Sequence, residues 1–278
     1  DEPLPVQYVS YVRHVVLDGN LGRSFADNEP VSTTIASRLP ATIELALFAM
    51  VFGTLFGIGL GALSAVKRNT WVDTVSRTVA LAGVSLPAFW IGVMAIAVFS
   101  VHLGWLPAGG SFDSRVPYER HTGFLLLDGF IDGNPRISWI AFQHLLLPGL
   151  VLGIFVAGYI GRITRMTMLE ALSQDYIRTA VAKGLPNRTI VLRHALRTAA
   201  LPVVTVIGLQ FGLLLAGAAV TETVFAYPGM GKLLVDSIRA SDFPQIQASI
   251  LILAGTYCVV NAVVDTLYAV LDPRVRVE

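Results

Sequence analysis

The sequence predicts an all-α integral membrane protein, a helical bundle with five spanning helices. Three observations carry this. Hydrophobic residues make up 54% of the chain and charged residues only 14%, with a mean hydropathy of +0.65, where soluble domains carry about a quarter charged residues. Five apolar runs, at residues 41–66, 78–103, 145–168, 201–220 and 248–271, are each long enough for a hydrocarbon core of about 30 Å. Basic residues gather on alternate connections between those runs. Backbone in lipid must satisfy its own hydrogen bonds, so runs of this length are helices.

The same composition excludes several classes. The net charge of +1 and the absence of a basic run argue against nucleic acid as a partner. The single cysteine, Cys258, lies inside an apolar run, so no intramolecular disulfide forms, and zinc-type Cys/His spacings are absent. No metal ligand set, solenoid repeat or low-complexity tract is visible.

Residues 1–40 are mixed in character, with an amphipathic helix expected at 6–17 and ended by Asp18-Gly19-Asn20. The 41–66 run opens near Glu44 and closes at Lys67-Arg68. Gly53, Gly57 and Gly61 recur in it at every fourth position, either as a flat stripe for a neighbouring helix or as glycines that a membrane helix merely tolerates. A short polar link at 69–77 follows. In the 78–103 run, Pro87 of Ser85-Leu86-Pro87 lacks a backbone donor and is expected to kink or break the helix. Trp105 stands at the expected interface, and 104–143 is a long loop with Pro107, Gly109 and Gly110. Arg162 and Arg165 close the third run. Gly208, Gly212 and Ala216 make a second small-residue stripe in the fourth. Residues 221–247 read as polar and irregular, and Asp272-Pro273-Arg274 ends the last helix, leaving a 273–278 tail.

The connection at 169–198 is the most informative. Asp175 is expected to cap a two-turn helix at 176–183, ended by Lys183, Gly184 and Pro186: a cation at the negative end, a residue free to take positive φ, and a helix stop. Such a helix is too short to persist alone in water. It is either an ordinary loop element or a docking element for a soluble partner. A second, basic helix is expected at 187–197.

One set of connections holds Lys67, Arg68, Arg77, Arg162, Arg165, Arg178, Lys183, Arg188, Arg193, Arg197, Arg274 and Arg276; the longer opposite set holds Arg13, Arg23, Arg38, Arg115, Arg120, Arg136, Lys232 and Arg239. The positive-inside rule therefore predicts that 169–198 and the C-terminus are cytoplasmic and that 1–40 is extracytoplasmic. A chain starting outside at Asp1 without a signal peptide leads to the expectation of a further spanning helix upstream.

Motifs in the order GNLGRSF (19–25), RLPATIELAL (38–47), SLPAFWIG (85–92), LGWLPAGG (103–110), DYIRTAVAKGL (175–185), ETVFAYPGMGKLLVDSI (222–238) and LYAVLDPRVR (267–276) cover nearly the whole chain. On these the chain resembles the permease subunits of dipeptide/oligopeptide/nickel ABC importers, and specifically the first permease of the pair. The resemblance implies a type I ABC importer permease (MetI-like) helical bundle with six spanning helices, five of them present here. It implies residues Asp175, Tyr176, Ile177, Arg178, Thr179, Ala180, Val181, Ala182, Lys183 and Gly184 as the segment that couples to an ATPase cleft. Arg178-Thr179-Ala180 stand where importers generally carry Glu-Ala-Ala, and the downstream Leu-Pro pair is Leu201-Pro202. Tyr176, Ile177, Ala180 and Val181 are the expected anchors for the groove.

The partners so implied are a homologous second permease, two cytoplasmic ATPase subunits that carry ATP and magnesium, and membrane lipid. An extracytoplasmic substrate-binding protein would meet the 104–143 and 223–247 loops. The chain itself has no nucleotide-binding Gly-rich Lys-Ser/Thr loop, so it is not expected to be an enzyme alone. The implied location is the bacterial inner membrane, and the implied cargo is di- or oligopeptide, with nickel, glutathione, haem and oligosaccharide relatives as alternatives. Polarity at membrane depth singles out Ser85, Gln210, Ser249 and Asn261 as pathway residues.

Two distant readings compete. Gly83-Val84-Ser85-Leu86 faintly resembles an intramembrane serine protease, but that chemistry needs a histidine base at membrane depth. His102, His121, His144 and His194 all fall outside or at the edges of the runs. An ion-coupled transporter would use buried ionisable groups, for which Glu44, Glu222 and Asp265 are the candidates.

Overall fold

The computed structural model of the chain describes residues 19–113, 115–119 and 121–271 with isolated positions between 3 and 17, and leaves undescribed the side chains of 215–217, 265 and 267–271. The expected 6–17 helix falls largely outside the described residues, as do the Asp272-Pro273-Arg274 stop and the 273–278 tail. In chain order the elements are α1 (Val31–Val66), α2 (Trp71–Ser85), α3 (Ala88–Ala95, prolonged by a π-helical turn at Ile96–His102), α4 (Leu125–Ile131) and α5 (Pro135–Ser173). Then come α6 (Asp175–Ala182) and α7, which runs through Asn187–Thr189, a π-helical stretch Ile190–Ala195 and Leu196–Gly217. Last are α8 (Ala219–Val224), α9 (Met230–Arg239) and α10 (Phe243–Leu271).

Helices α1, α5, α7 and α10 are each long and apolar enough to cross a membrane. Helices α2 and α3 meet at 105°, and counted as one broken span they bring the total to five. The break lies at Leu86 and Pro87, both extended, as the crowding of a proline ring on its predecessor requires. Five helices start earlier than the apolar runs: α1 at Val31, α2 at Trp71, α5 at Pro135, α7 at Asn187 and α10 at Phe243. Residues 31–40 are thus helical, through Pro40, because Val31 and Ile35 pack against Met230 and Ala248. The basic helix expected at 187–197 is no separate element; it is the first part of α7, with Pro202 inside.

The core forms where α1 lies along α5. Cβ atoms built at Gly53, Gly57 and Gly61 would stand 2.5 Å from Val156 Cβ, 2.8 Å from Ile160 Cβ and 2.5 Å from the Gly161 carbonyl. The stripe is therefore a packing surface. Gly208 and Gly212 do the same for α10, meeting Val264 at 2.1 Å and Tyr257 at 2.7 Å; the Ala216 side chain is outside the described set.

The bundle has two dissimilar ends. At the basic end, Ala65 of α1, Met168 and Ala171 of α5, Ile177 and Ala180 of α6, and Ile190, Ala195 and Ala199 of α7 form one apolar cluster. At the other, capped end, residues 19–30, the 104–112 loop, α4, α8 and α9 fold over the helix tips. There Gly110 N–H donates to the Phe225 carbonyl at 2.8 Å, and His144 Nδ1 lies 3.0 Å from the Gly109 carbonyl.

Candidate functional site

The candidate coupling segment is a helix, with a start and finish that local chemistry explains. It begins one residue earlier than expected. Gln174 occupies the cap position without a side-chain bond, and Asp175 is the first helical residue. Asp175 therefore does not cap; its exposed carboxylate acts by charge at the positive helix end and stands 3.4 Å from Arg178 Nη1. At the far end Gly184 N–H donates to Val181 O at 2.9 Å and Leu185 N–H to Ala180 O at 3.2 Å, a Schellman closure. Gly184 takes φ +72°, the left-handed value this closure needs.

The two faces of α6 are unlike. Ile177 and Ala180 are each only 6% exposed, turned into the chain's own apolar cluster. This corrects the expectation that they anchor a partner's groove: helical spacing puts them on one face, and that face is already filled by Met168, Ala171 and Ile190. The outward face carries Tyr176, Arg178, Thr179, Val181, Ala182 and Lys183, all exposed. Tyr176 Oη lies 3.0 Å from Thr198 Oγ1, which ties α6 to the start of α7.

Also at the basic end, next to Ala65 of the same cluster, lies a polar group that no motif in the chain marks. Asp73, in the first turn of α2, is fully buried. Its carboxylate accepts Ser64 Oγ at 2.6 Å, Arg165 Nε at 2.9 Å and Nη2 at 3.1 Å, and Asn69 N–H at 3.1 Å. Arg77 Nε adds a contact at 3.4 Å. Arg165 and Arg77 read in sequence only as positive-inside charges; no spacing in the chain links either to Ser64.

The capped end is held by buried carboxylates. Glu222 accepts Thr42 Oγ1 at 2.7 Å and Lys232 N–H at 2.9 Å, while Thr42 Oγ1 accepts Met230 N–H at 2.7 Å. Glu44 accepts Leu126 N–H at 2.9 Å. Both glutamates therefore join α1 to the cap. Asp128 accepts Thr122 Oγ1 and N–H and Gly123 N–H; burial pushes its carboxyl up, but these bonds win and hold it below its ordinary value. Asp242 likewise lies low: burial raises it, and Ser24 Oγ, Phe25 N–H and Gln245 N–H more than offset that.

Of the four polar residues expected at membrane depth, Ser85 is exposed at the helix break, while Gln210 and Asn261 are half-buried. Ser249 is fully buried at the capped end, 3.3 Å from Gln245 Nε2, and faces no opening in this arrangement. His121 pairs with Asp132 at 2.6 Å on the surface of the cap.

A bundle of long apolar helices, with one bent span between a basic end and a capped end, defines an all-α multi-pass membrane protein of the permease type. Comparison narrows this class. The chain belongs to the family of binding-protein-dependent transport system inner membrane components, whose model matches residues 57–277. It is 43% identical over 276 residues to the dipeptide transport system permease protein of Alkalihalophilus pseudofirmus, covering 99% of this chain and 83% of that one. It is 46% identical over 276 residues to the di/tripeptide transport system permease protein of Pseudomonas aeruginosa, covering 99% and 82%. Among solved structures, an inward-facing form of the MetNI methionine ABC transporter superposes with a TM-score of 0.68 at 16% identity, over 88% of this chain and 99% of that one. That likeness concerns the fold.

Proposed function

We propose that this chain is one of two permease subunits of an ATP-driven importer of di- or oligopeptides, with α6 as the element that docks on an ATPase subunit. The observation that carries it is the division of α6 into an inner face locked on the permease core and an outer face left bare. Tyr176 and Val181 offer apolar anchors there, 41% and 58% exposed, and Arg178 and Lys183 offer charge for an acidic rim. Near-complete coverage by dipeptide and di/tripeptide permeases supports the cargo. On this reading the basic end is cytoplasmic and the capped end meets a substrate-binding protein. The second permease closes the pathway beside Ser85, Gln210 and Asn261. ATP and magnesium belong to two partner ATPases, whose rigid-body motion α6 transmits.

The test uses the complete importer in proteoliposomes. Val181→Trp enlarges the outer face without touching the inner one, and Gly184→Val strains the closure, since a β-branched residue pays more than about 1 kcal/mol in the left-handed region. Both variants are expected to reach the membrane yet lose peptide uptake and ATP hydrolysis stimulated by the loaded binding protein. Wild-type uptake by both would overturn the docking role.

A further inference from the structure

We propose that Asp73 is the positioning residue through which displacement of α6 reaches the bent α2–α3 span; the inference rests on the docking role of α6. Helix α5 continues unbroken from Arg165 to Ser173 and turns directly into α6 at Gln174. Arg165 thus stands about 12 Å along the helix axis from its end, on the same rigid rod. Helix α2 is bare on its outer side, with Asp73, Ser76 and Gly83 buried and Trp71, Val75, Val79 and Leu81 each more than half exposed; its second half packs on α5, where Gly83 meets Ile154 and Gly158 meets Ala80 and Val84. What fastens its base is the Asp73 carboxylate, gripped through two nitrogens of Arg165 and by the hydroxyl of Ser64 on α1. A two-point guanidinium–carboxylate pair fixes orientation as well as distance. When α5 and α6 move together, the base of α2 must follow, and the break at Leu86-Pro87 converts that movement into a change of angle with α3. Ser85, a candidate pathway residue, sits at that hinge.

The experiment measures ATP hydrolysed per peptide imported by the complete reconstituted importer. Asp73→Asn keeps the size and the Ser64 bond but removes the charged pair. It is expected to raise that ratio about tenfold or more, within the usual range of coupling factors, with unchanged membrane abundance and unchanged ATPase co-purification. Arg165→Lys keeps the charge but loses the two-point grip, and a smaller rise, about threefold, is expected. Asp73→Glu, which keeps the charge, is expected to stay nearer wild type than Asp73→Asn. An unchanged ratio in both Asp73→Asn and Arg165→Lys reduces the group to a static brace and overturns the proposal. So does loss of the ATPases from the complex, which would place the defect in docking. If Asp73→Asn fails to reach the membrane, the ratio for Arg165→Lys decides alone. Val181→Trp and Gly184→Val run in parallel separate the two ideas: wild-type behaviour of both sinks the docking role. An inactive Val181→Trp beside a normally coupled Asp73→Asn sinks only the transmission role.

Discussion

Asp242 shows how much one carboxylate holds at the capped end. It is 3% exposed and joins residues 24 and 25 of the N-terminal segment to the first turn of α10, more than two hundred residues away. Its carboxyl is held below its unfolded value, so the stabilisation is fully present above about pH 4 and is lost as pH falls through the lower folded value. Asp242→Asn is expected to cost roughly 1.5–3 kcal/mol at neutral pH, the usual worth of hydrogen bonds to a charged group. It should also lose the part of the acid sensitivity that belongs to this group. Thermal melts of detergent-solubilised protein between pH 3 and pH 7, wild type against variant, check both. Equal melting at pH 7 would show that the Ser24 and Phe25 bonds contribute nothing.

At the scale of the element, the α1–α5 contact depends on what is missing from its glycines. A Cβ at Gly57 would lie 2.8 Å from Ile160 Cβ, whereas one at Gly59, two residues on and facing away, meets nothing within 4 Å. Gly57→Leu is therefore expected to push the helices apart and cost about 1–3 kcal/mol or more, as overpacking does. Gly59→Ala should be neutral or slightly stabilising, because alanine favours helix over glycine. Melting temperature and membrane yield of the two variants, side by side, measure the difference. Equal behaviour would mean that the stripe is tolerated glycine and not a seam. Helix α6 shows the complementary case. Its inner face is fixed by packing on Met168 and Ile190, so only its outer face is free to carry a partner.

At the scale of the whole molecule, the proposed orientation rests on the gathering of Lys67, Arg68, Arg165, Arg178, Lys183 and Arg188 at one end. The large apolar side chains left bare along the spans, such as Leu55, Leu209, Ile250, Val259 and Val263, fit a lipid or permease surround. In a Cys258→Ala background, Glu29→Cys is expected to react with an impermeant maleimide added to intact cells, and Arg188→Cys only after the membrane is opened. The reverse pattern would invert the molecule and remove α6 from the side where ATP is found.

Periodicity and composition alone determined that the chain is a bundle of apolar helices, which connections carry the positive charge, where Pro87 interrupts a helix, and that Gly184 closes a short helix in the left-handed region. Each of these follows from forces acting within a few residues: transfer into lipid, a missing backbone donor, a missing Cβ. Only the tertiary structure decided that α1 passes through Pro40, because the contacts of Val31 and Ile35 that hold it come from α9 and α10. It also decided that Ile177 and Ala180 face inward, because a helical pattern shows that two residues share a face but not what already fills the space beside it. The Asp73–Arg165–Ser64 group was illegible for the same reason. Its members lie on three helices, with Arg165 92 positions beyond Asp73, and a hydrogen bond across that separation leaves no local trace in the chain.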